Sequence, residues 1–258
     1  MMDLFALLEL YNTFDHDNID FEIVRKLLEG YNKMELRTGH QLADSLHVSQ
    51  SSLNRFWKRL YYENFSLYRE EHSKWREYYF FDYDYVGHGQ IREAGTFREH
   101  MDHLTREFQT VAADVDESQL GRLLESILAH EEIIFVGTPL GGNIWRIQME
   151  LVLLGKRTSA FLVPDYQIEA VRAAGPHTLV VGLDLMRQDD IFLPGILTDA
   201  SRAGAECWCI SHMKKTSCAA VVREQISFSG SNAYTDQLML SILVSYLGND
   251  LRKRVLEQ

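Results

Sequence analysis

Between Gln50 and Lys58 the chain gathers side chains of the kinds that suit contact with nucleic acid: Gln50, Ser51, Ser52, Asn54, Arg55 and Lys58. At the start of a helix, Gln50, Ser51 and Ser52 would reach base edges or phosphate. Asn54 suits adenine, Arg55 suits guanine or phosphate, and Lys58 with Arg59 suits the sugar-phosphate backbone. Thr38, at the head of the preceding helix, joins this set of expected contacts. The local charge agrees. Residues 37–60 hold Arg37, Arg55, Lys58 and Arg59 against one acid, Asp44, in a chain whose net charge is −11. That overall charge argues against a protein that coats nucleic acid, while the local excess marks where phosphate would be met.

The elements that must present these residues are legible nearby. Thr38 precedes Gly39-His40-Gln41, so a Thr-x-x-Gln capping box opens a helix whose buried stripe is Leu42, Ala43 and Leu46. His47-Val48 makes a tight turn, with Val48 inserted between two helices, and Ser49 caps the second helix. In that helix Leu53, Phe56, Trp57 and Leu60 face inward, leaving the polar set outward. The layout is that of a helix-turn-helix. Upstream, Phe21, Val24, Leu27 and Leu28 predict a helix over 20–28 that stops at Gly30.

A second candidate site lies in the other half of the chain. Ile133–Val136 reads as a buried parallel strand and Ile144–Leu154 as a helix. Between them, Gly137, Thr138, Gly141, Gly142 and Asn143 form a Gly-rich turn. A strand-to-helix turn of this kind offers backbone N–H groups and a positive helix end to an anion. Further strands are expected at Ala160–Val163, Thr178–Gly182, Cys207–Ile210 and Ile226–Phe228. Helices are expected near 97–112, 117–129, 165–174, 190–203 and 234–255. Ser211 and the loop through Lys214 and Lys215 would border the same carboxyl-end crevice. The predicted fold class is α/β: an N-terminal all-α helix-turn-helix domain, and a C-terminal doubly wound domain with a parallel five-stranded sheet. The expected boundaries are 1–74 for the first domain, 75–112 for a linker rich in aromatics over 75–85, and 113–258 for the second.

Taken together, Leu42-Ala43, Val48-Ser49, Arg55-Phe56 with Leu60, Ile133–Thr138 and Leu153-Leu154-Gly155 resemble the RpiR family of bacterial transcriptional regulators. The resemblance covers nearly the whole chain. It implies a helix-turn-helix joined to a sugar isomerase (SIS) domain, an operator in double-stranded DNA, and a phosphosugar effector or another small anionic metabolite. One departure is informative. SIS domains usually carry a Ser-x-Ser-Gly-x-Thr phosphate loop after the third strand. The corresponding stretch here, Val181–Arg187, has no serine, and Asp184 would repel a phosphate. The alternatives are a C-terminal domain that only dimerises, and a phosphosugar-binding protein or isomerase.

The remaining expectations are bounds. Helix-turn-helix proteins commonly read two half-sites, so a homodimer or homotetramer is expected. Catalysis is not expected: Glu150, Asp184 and His212 are the only general-base candidates, and no motif supports them. His100 and His103 share a helix face, but no further ligands are spaced for a metal. No cofactor is expected. Cys207, Cys209 and Cys218 predict reduced thiols, with Cys207 and Cys209 on one strand face. The chain shows neither a signal peptide nor a long apolar run, which points to a cytoplasmic protein with no membrane partner.

Overall fold

The computed structural model describes residues 3–13, 18–31, 37–60, 62–70, 72–73, 96–138, 143–161, 164–185, 192–214, 216–228 and 233–256. The aromatic stretch 75–85 lies outside them. The chain divides into two compact units, Met1–Phe80 with Leu162–Tyr166, and Phe81–Phe161 with Gln167–Gln258.

The first unit is helical. It contains α1 (Asp3–Thr13), α2 (Ile19–Glu29), α3 (Gly39–Leu46) and α4 (Gln50–Arg59), with a further helical stretch at 65–70. α2 begins where the Asn18 side chain accepts the Asp20 N–H, and ends at Gly30. Phe21, Ile23, Val24 and Leu27 are its buried face, while Leu28 is only half-buried. Leu7, Leu42, Leu53, Phe56, Trp57 and Tyr68 join these in one core, and the Trp57 and Tyr68 rings stack 4.4 Å apart. Burial of each such side chain contributes about 1.5–3 kcal/mol. α1 has no counterpart in the sequence reading. Its apolar residues run nearly all round the helix, so Leu7 is buried and Leu8 exposed, and no one-sided stripe announces it.

The second unit has a five-stranded sheet in the order β2-β1-β3-β4-β5, every neighbouring pair parallel. The strands are β1 (Glu132–Thr138), β2 (Arg157–Ser159), β3 (Thr178–Asp184), β4 (Glu206–Ser211) and β5 (Glu224–Ser227). The helices are α5 (Phe97–Asp114), α6 (Glu117–Ala129), α7 (Asn143–Leu153), α8 (Pro164–Arg172), α9 (Phe192–Arg202) and α10 (Ala233–Leu256). Ile134, Val136, Val180, Cys207 and Cys209 pack with Val171 of α8 and with Leu193, Ile196 and Leu197 of α9. Successive strand residues alternate faces, so Ile133, Phe135, Leu179, Val181, Trp208 and Ile210 point the other way. All six are buried as well, so both faces of the sheet are covered. This is the doubly wound arrangement the alternating pattern predicts. Three thiols lie inside it. Burial, with Glu206 nearby, pushes Cys207 up to about 11, and a hydrogen bond to Cys218 together with burial holds the Cys209 thiol well above the usual range.

One strand is displaced from its expected place. The strand expected at Ala160–Val163 is found at Arg157–Ser159 instead: Ala160 and Phe161 follow it outside any strand, and 162–163 lie outside the described residues. β2 is a three-residue edge strand pairing with Glu132, Ile133 and Ile134, and it is only partly buried. An edge strand does not need a continuous apolar run, so the hydrophobicity signal selected the wrong segment.

Candidate functional site

Local capping builds the helical site. Thr38 Oγ1 accepts the Gln41 N–H at 3.2 Å, and Gln41 Oε1 accepts the Thr38 N–H at 2.8 Å, closing the capping box. His47 ends α3 in the left-handed conformation at φ 54°, unusual for a residue with a side chain. Val48 is half-buried against the core. Ser49 caps α4 by accepting the Ser52 N–H at 3.1 Å. Its hydroxyl also meets Ser51 Oγ at 2.8 Å and Ser52 Oγ at 2.9 Å.

Leu53, Phe56 and Trp57 turn inward and fix the outward face of α4. Ser51, Arg55 and Lys58 are exposed at i, i+4 and i+7, so they form one stripe. Ser52 and Asn54 flank it, half-buried, and Arg55 Nη2 donates to Ser52 Oγ at 3.3 Å. α4 contains no acidic residue, and its N-terminus adds a positive partial charge to the basic stripe. One residue departs from its expected orientation. Gln50 is half-buried, with its Oε1 unpartnered and its Nε2 3.2 Å from where a Cβ on Gly39 would stand. The missing side chain at Gly39 leaves room for the Gln50 amide over α3, so it does not reach outward. The Thr38 hydroxyl is occupied by the cap. Arg37 packs its guanidinium beside Gly30 at the end of α2, so its charge is not added to the α4 stripe.

The second site lies at the carboxyl edge of the sheet. In the order 2-1-3-4-5 the crossovers from β1 and β3 leave in opposite directions, which opens a crevice past their carboxyl ends. The register aligns Thr138, Asp184, Ser211 and Ser227 across four strand ends. Gly137 sits at φ 136°, and a Cβ there would come 2.4 Å from the Leu183 carbonyl oxygen. Its N–H donates to Gln167 Oε1 at 2.9 Å, and its carbonyl accepts from Gln167 Nε2 at 3.0 Å. Gln167, wholly buried on α8, also donates to the Phe161 carbonyl at 2.6 Å. This clamp holds the end of β1 and was missed in the sequence, where an isolated glutamine carries no signal.

Ser211 is brought to the crevice, but its hydroxyl is committed. It donates to Asp184 Oδ2 at 3.1 Å and accepts the Met213 N–H at 2.9 Å. His212 is buried, and its Nδ1 lies 3.0 Å from the Asp184 carbonyl oxygen, which makes Nδ1 the donor. Gly141, Gly142 and Lys215 lie outside the described residues. Of Thr138 and Asn143 the backbone is described: one ends β1 and the other starts α7. Lys214, whose side chain is largely exposed, pairs with Asp114 Oδ1 of α5 at 3.7 Å. Glu150 is not a free base, because its nearly buried carboxylate is held by Arg252 Nε at 3.1 Å and by Arg252 Nη2. His100 and His103 both lie on α5, and among the described residues no cluster of three or more metal-binding side chains forms.

No family model matches the chain, and no curated protein matches it in sequence. Solved structures do. The Vibrio vulnificus NanR protein, solved with ManNAc-6P, aligns over 98% of this chain and 92% of its own, with a TM-score of 0.52 and 14% identity. A hypothetical protein aligns over 61% of this chain and 88% of its own, with a TM-score of 0.51 and 12% identity. The sugar isomerase domain of an RpiR transcription factor from Sphaerobacter thermophilus aligns over 62% and 98%, with a TM-score of 0.45 and 13% identity. The likeness is one of fold. The α/β class and the parallel five-stranded sheet stand on it and on the strand pairing together. Among the described residues no helix is long and apolar enough to cross a membrane.

Proposed function

We propose that this chain is a DNA-binding transcriptional regulator of the RpiR type. Residues 1–74 form the DNA-reading domain, 75–112 the linker, and 113–258 an SIS-like domain that senses a small molecule and self-associates. The observation that carries the reading is the exposed stripe Ser51, Arg55 and Lys58 on a capped, acid-free helix that follows a tight turn. α4 would lie in the major groove. Arg55 and Asn54 would read base edges, while Ser51, Ser52 and Lys58 would contact phosphate. Gln50 has the smaller role, because its amide lies over α3.

Replacing Arg55 and Lys58 with alanine is expected to weaken operator binding at least tenfold. The slope of log affinity against log salt should drop by about one for each phosphate contact removed. A fluorescence-anisotropy titration over a salt series measures both. An unchanged slope and affinity would remove α4 from the interface.

The effector is read at the carboxyl-end crevice. NanR, which shares the fold, was solved with a phosphosugar, and this supports a sugar derivative as the class to test. The Asp184–Ser211 pair works against the phosphate itself, because a carboxylate occupies the centre of the edge and takes the serine hydroxyl. A thermal-shift panel of sugar phosphates and their unphosphorylated parents is expected to raise Tm for one member, since a ligand that binds only the native state stabilises it. Asp184→Ser is expected to shift the preference toward the phosphorylated member. A flat panel for both proteins would favour a domain that only dimerises. Turnover is not part of the reading, and the Glu150–Arg252 pair supports that, because it withholds one of the three nominated bases.

A further inference from the structure

Helix α9 packs on the sheet through Leu193, Leu197 and Ala200, all wholly buried. The next face round the helix carries Phe192, Ile196, Asp199 and Arg202, which follow one another at three- and four-residue steps, with Gly195 beside them. This face and Ile168 of α8 line a groove of about 570 Å³. Small-molecule sites typically enclose about 300–1,000 Å³. None of the lining residues belongs to the α4 stripe or to the carboxyl-end crevice.

The groove changes character along the helix. Phe192 and Ile196, with Ile168 from α8, make one end apolar. Gly195 keeps it open, because a Cβ at that position would meet nothing within 4 Å. The Thr198 hydroxyl is turned back on its own helix, donating to the Pro194 carbonyl at 2.7 Å. At the other end stand two charges of opposite sign. Arg202 Nη1 lies 3.5 Å from Asp199 Oδ1, with 77% and 50% of the two side chains exposed. A pair this open to water contributes little by itself, so each charge can turn to a ligand at small cost.

We propose that this groove binds an apolar α-amino acid. The side chain lies against Ile168, Phe192 and Ile196, the carboxylate meets Arg202 and the ammonium meets Asp199. Two observations select that class. A ligand with a single charge satisfies one member of the Asp199–Arg202 pair and is opposed by the other, whereas a zwitterion with both charges on one carbon satisfies both. The chain also carries a net charge of −11, which repels a simple organic anion and exerts no net force on a neutral zwitterion. The groove has room for more than a short aliphatic side chain, so phenylalanine and tryptophan bury more apolar surface in it than leucine, and alanine is not held. The site is additional to the effector crevice and depends neither on that reading nor on DNA binding.

Saturation-transfer difference NMR on the full chain tests this, with phenylalanine at millimolar concentration as the probe. Saturable binding is expected. Phenethylamine lacks the carboxylate and 3-phenylpropionate lacks the ammonium, and each is expected to bind about fivefold more weakly. Arg202→Gln should remove the advantage of phenylalanine over phenethylamine, and Asp199→Asn its advantage over 3-phenylpropionate. Gly195→Leu fills the groove and should abolish binding. Leucine favours a helix more than glycine does, so the thermal midpoint of that variant should not fall. Should it fall, the two charge variants, both at exposed positions, still decide the matter. No binding to the wild type, unchanged binding to Gly195→Leu, or equal binding of the three compounds would overturn the proposal. Binding lost in Asp184→Ser but kept in Gly195→Leu would move the amino acid to the crevice and overturn it as well.

Discussion

Gly137→Ala is expected to destabilise the second unit by about 3 kcal/mol or more, and to lower the midpoint of its thermal unfolding by about 10 °C. Two independent features converge on this residue. Its φ of 136° is one that residues with a Cβ rarely adopt, and the added carbon would stand 2.4 Å from the carbonyl oxygen of Leu183. That oxygen belongs to the backbone of β3, so no side-chain rotation relieves the contact. Relief requires β1 and β3 to part at the carboxyl edge, which also pulls Gly137 away from Gln167 and leaves a buried amide unpaired. Circular dichroism during heating reads the effect. A midpoint within 2 °C of wild type would mean that the end of β1 is not held as described.

Trp57→Ala should have the largest effect in the first unit. The ring is wholly buried in α4, stacks on Tyr68 and meets Phe56 edge-on with centroids 5.2 Å apart. Removing a buried tryptophan costs about 3–5 kcal/mol through lost burial and the cavity left behind. A domain is stable by only about 5–15 kcal/mol, so the helical unit would be largely or wholly unfolded at modest denaturant concentration. Because Trp57 fixes which face of α4 points outward, DNA binding should be lost with it. Trp57→Phe keeps the stacking and removes an indole N–H that has no partner in the core, so it should cost far less. Urea titrations of the three proteins give the comparison. Equal midpoints for Trp57→Ala and wild type would mean that this core does not hold the helix.

How much of this the sequence discloses depends on the range of the interaction. The caps at Thr38 and Ser49 are contacts over three residues, and their signature survives in the chain because donor and acceptor are close neighbours. The inward set Leu53, Phe56 and Trp57 follows from helical period alone. The strands of the covered sheet are legible for the same reason: a strand buried on both faces is a short apolar run. β2 was misplaced because an edge strand obeys no such rule, and α1 was missed because its apolar residues show no single face.

The site details are not legible where partners lie far apart in sequence. Ser211 carries a hydroxyl of the right kind, but 27 residues separate it from the carboxylate that takes it. Glu150 is a plausible base until Arg252, 102 residues away, is seen holding it. Lys214 looks free to attract an anion until Asp114 of α5 appears beside it. Gln50 was read as outward from its position in the helix, and the space that draws it inward is the missing side chain of Gly39. In each case a partner or a space elsewhere in the fold, invisible in the local pattern, decides where the side chain is held.

Whether α4 reads DNA is decided by a competition titration. The purified full chain is titrated by fluorescence anisotropy against labelled duplex from the region upstream of its own gene, at several salt concentrations, with unlabelled random duplex as competitor. Saturable binding is expected that outlasts at least a hundredfold excess of random DNA, with a salt slope that falls when Arg55 and Lys58 become alanine. Weak binding, equal on both duplexes and indifferent to those two substitutions, would contradict it.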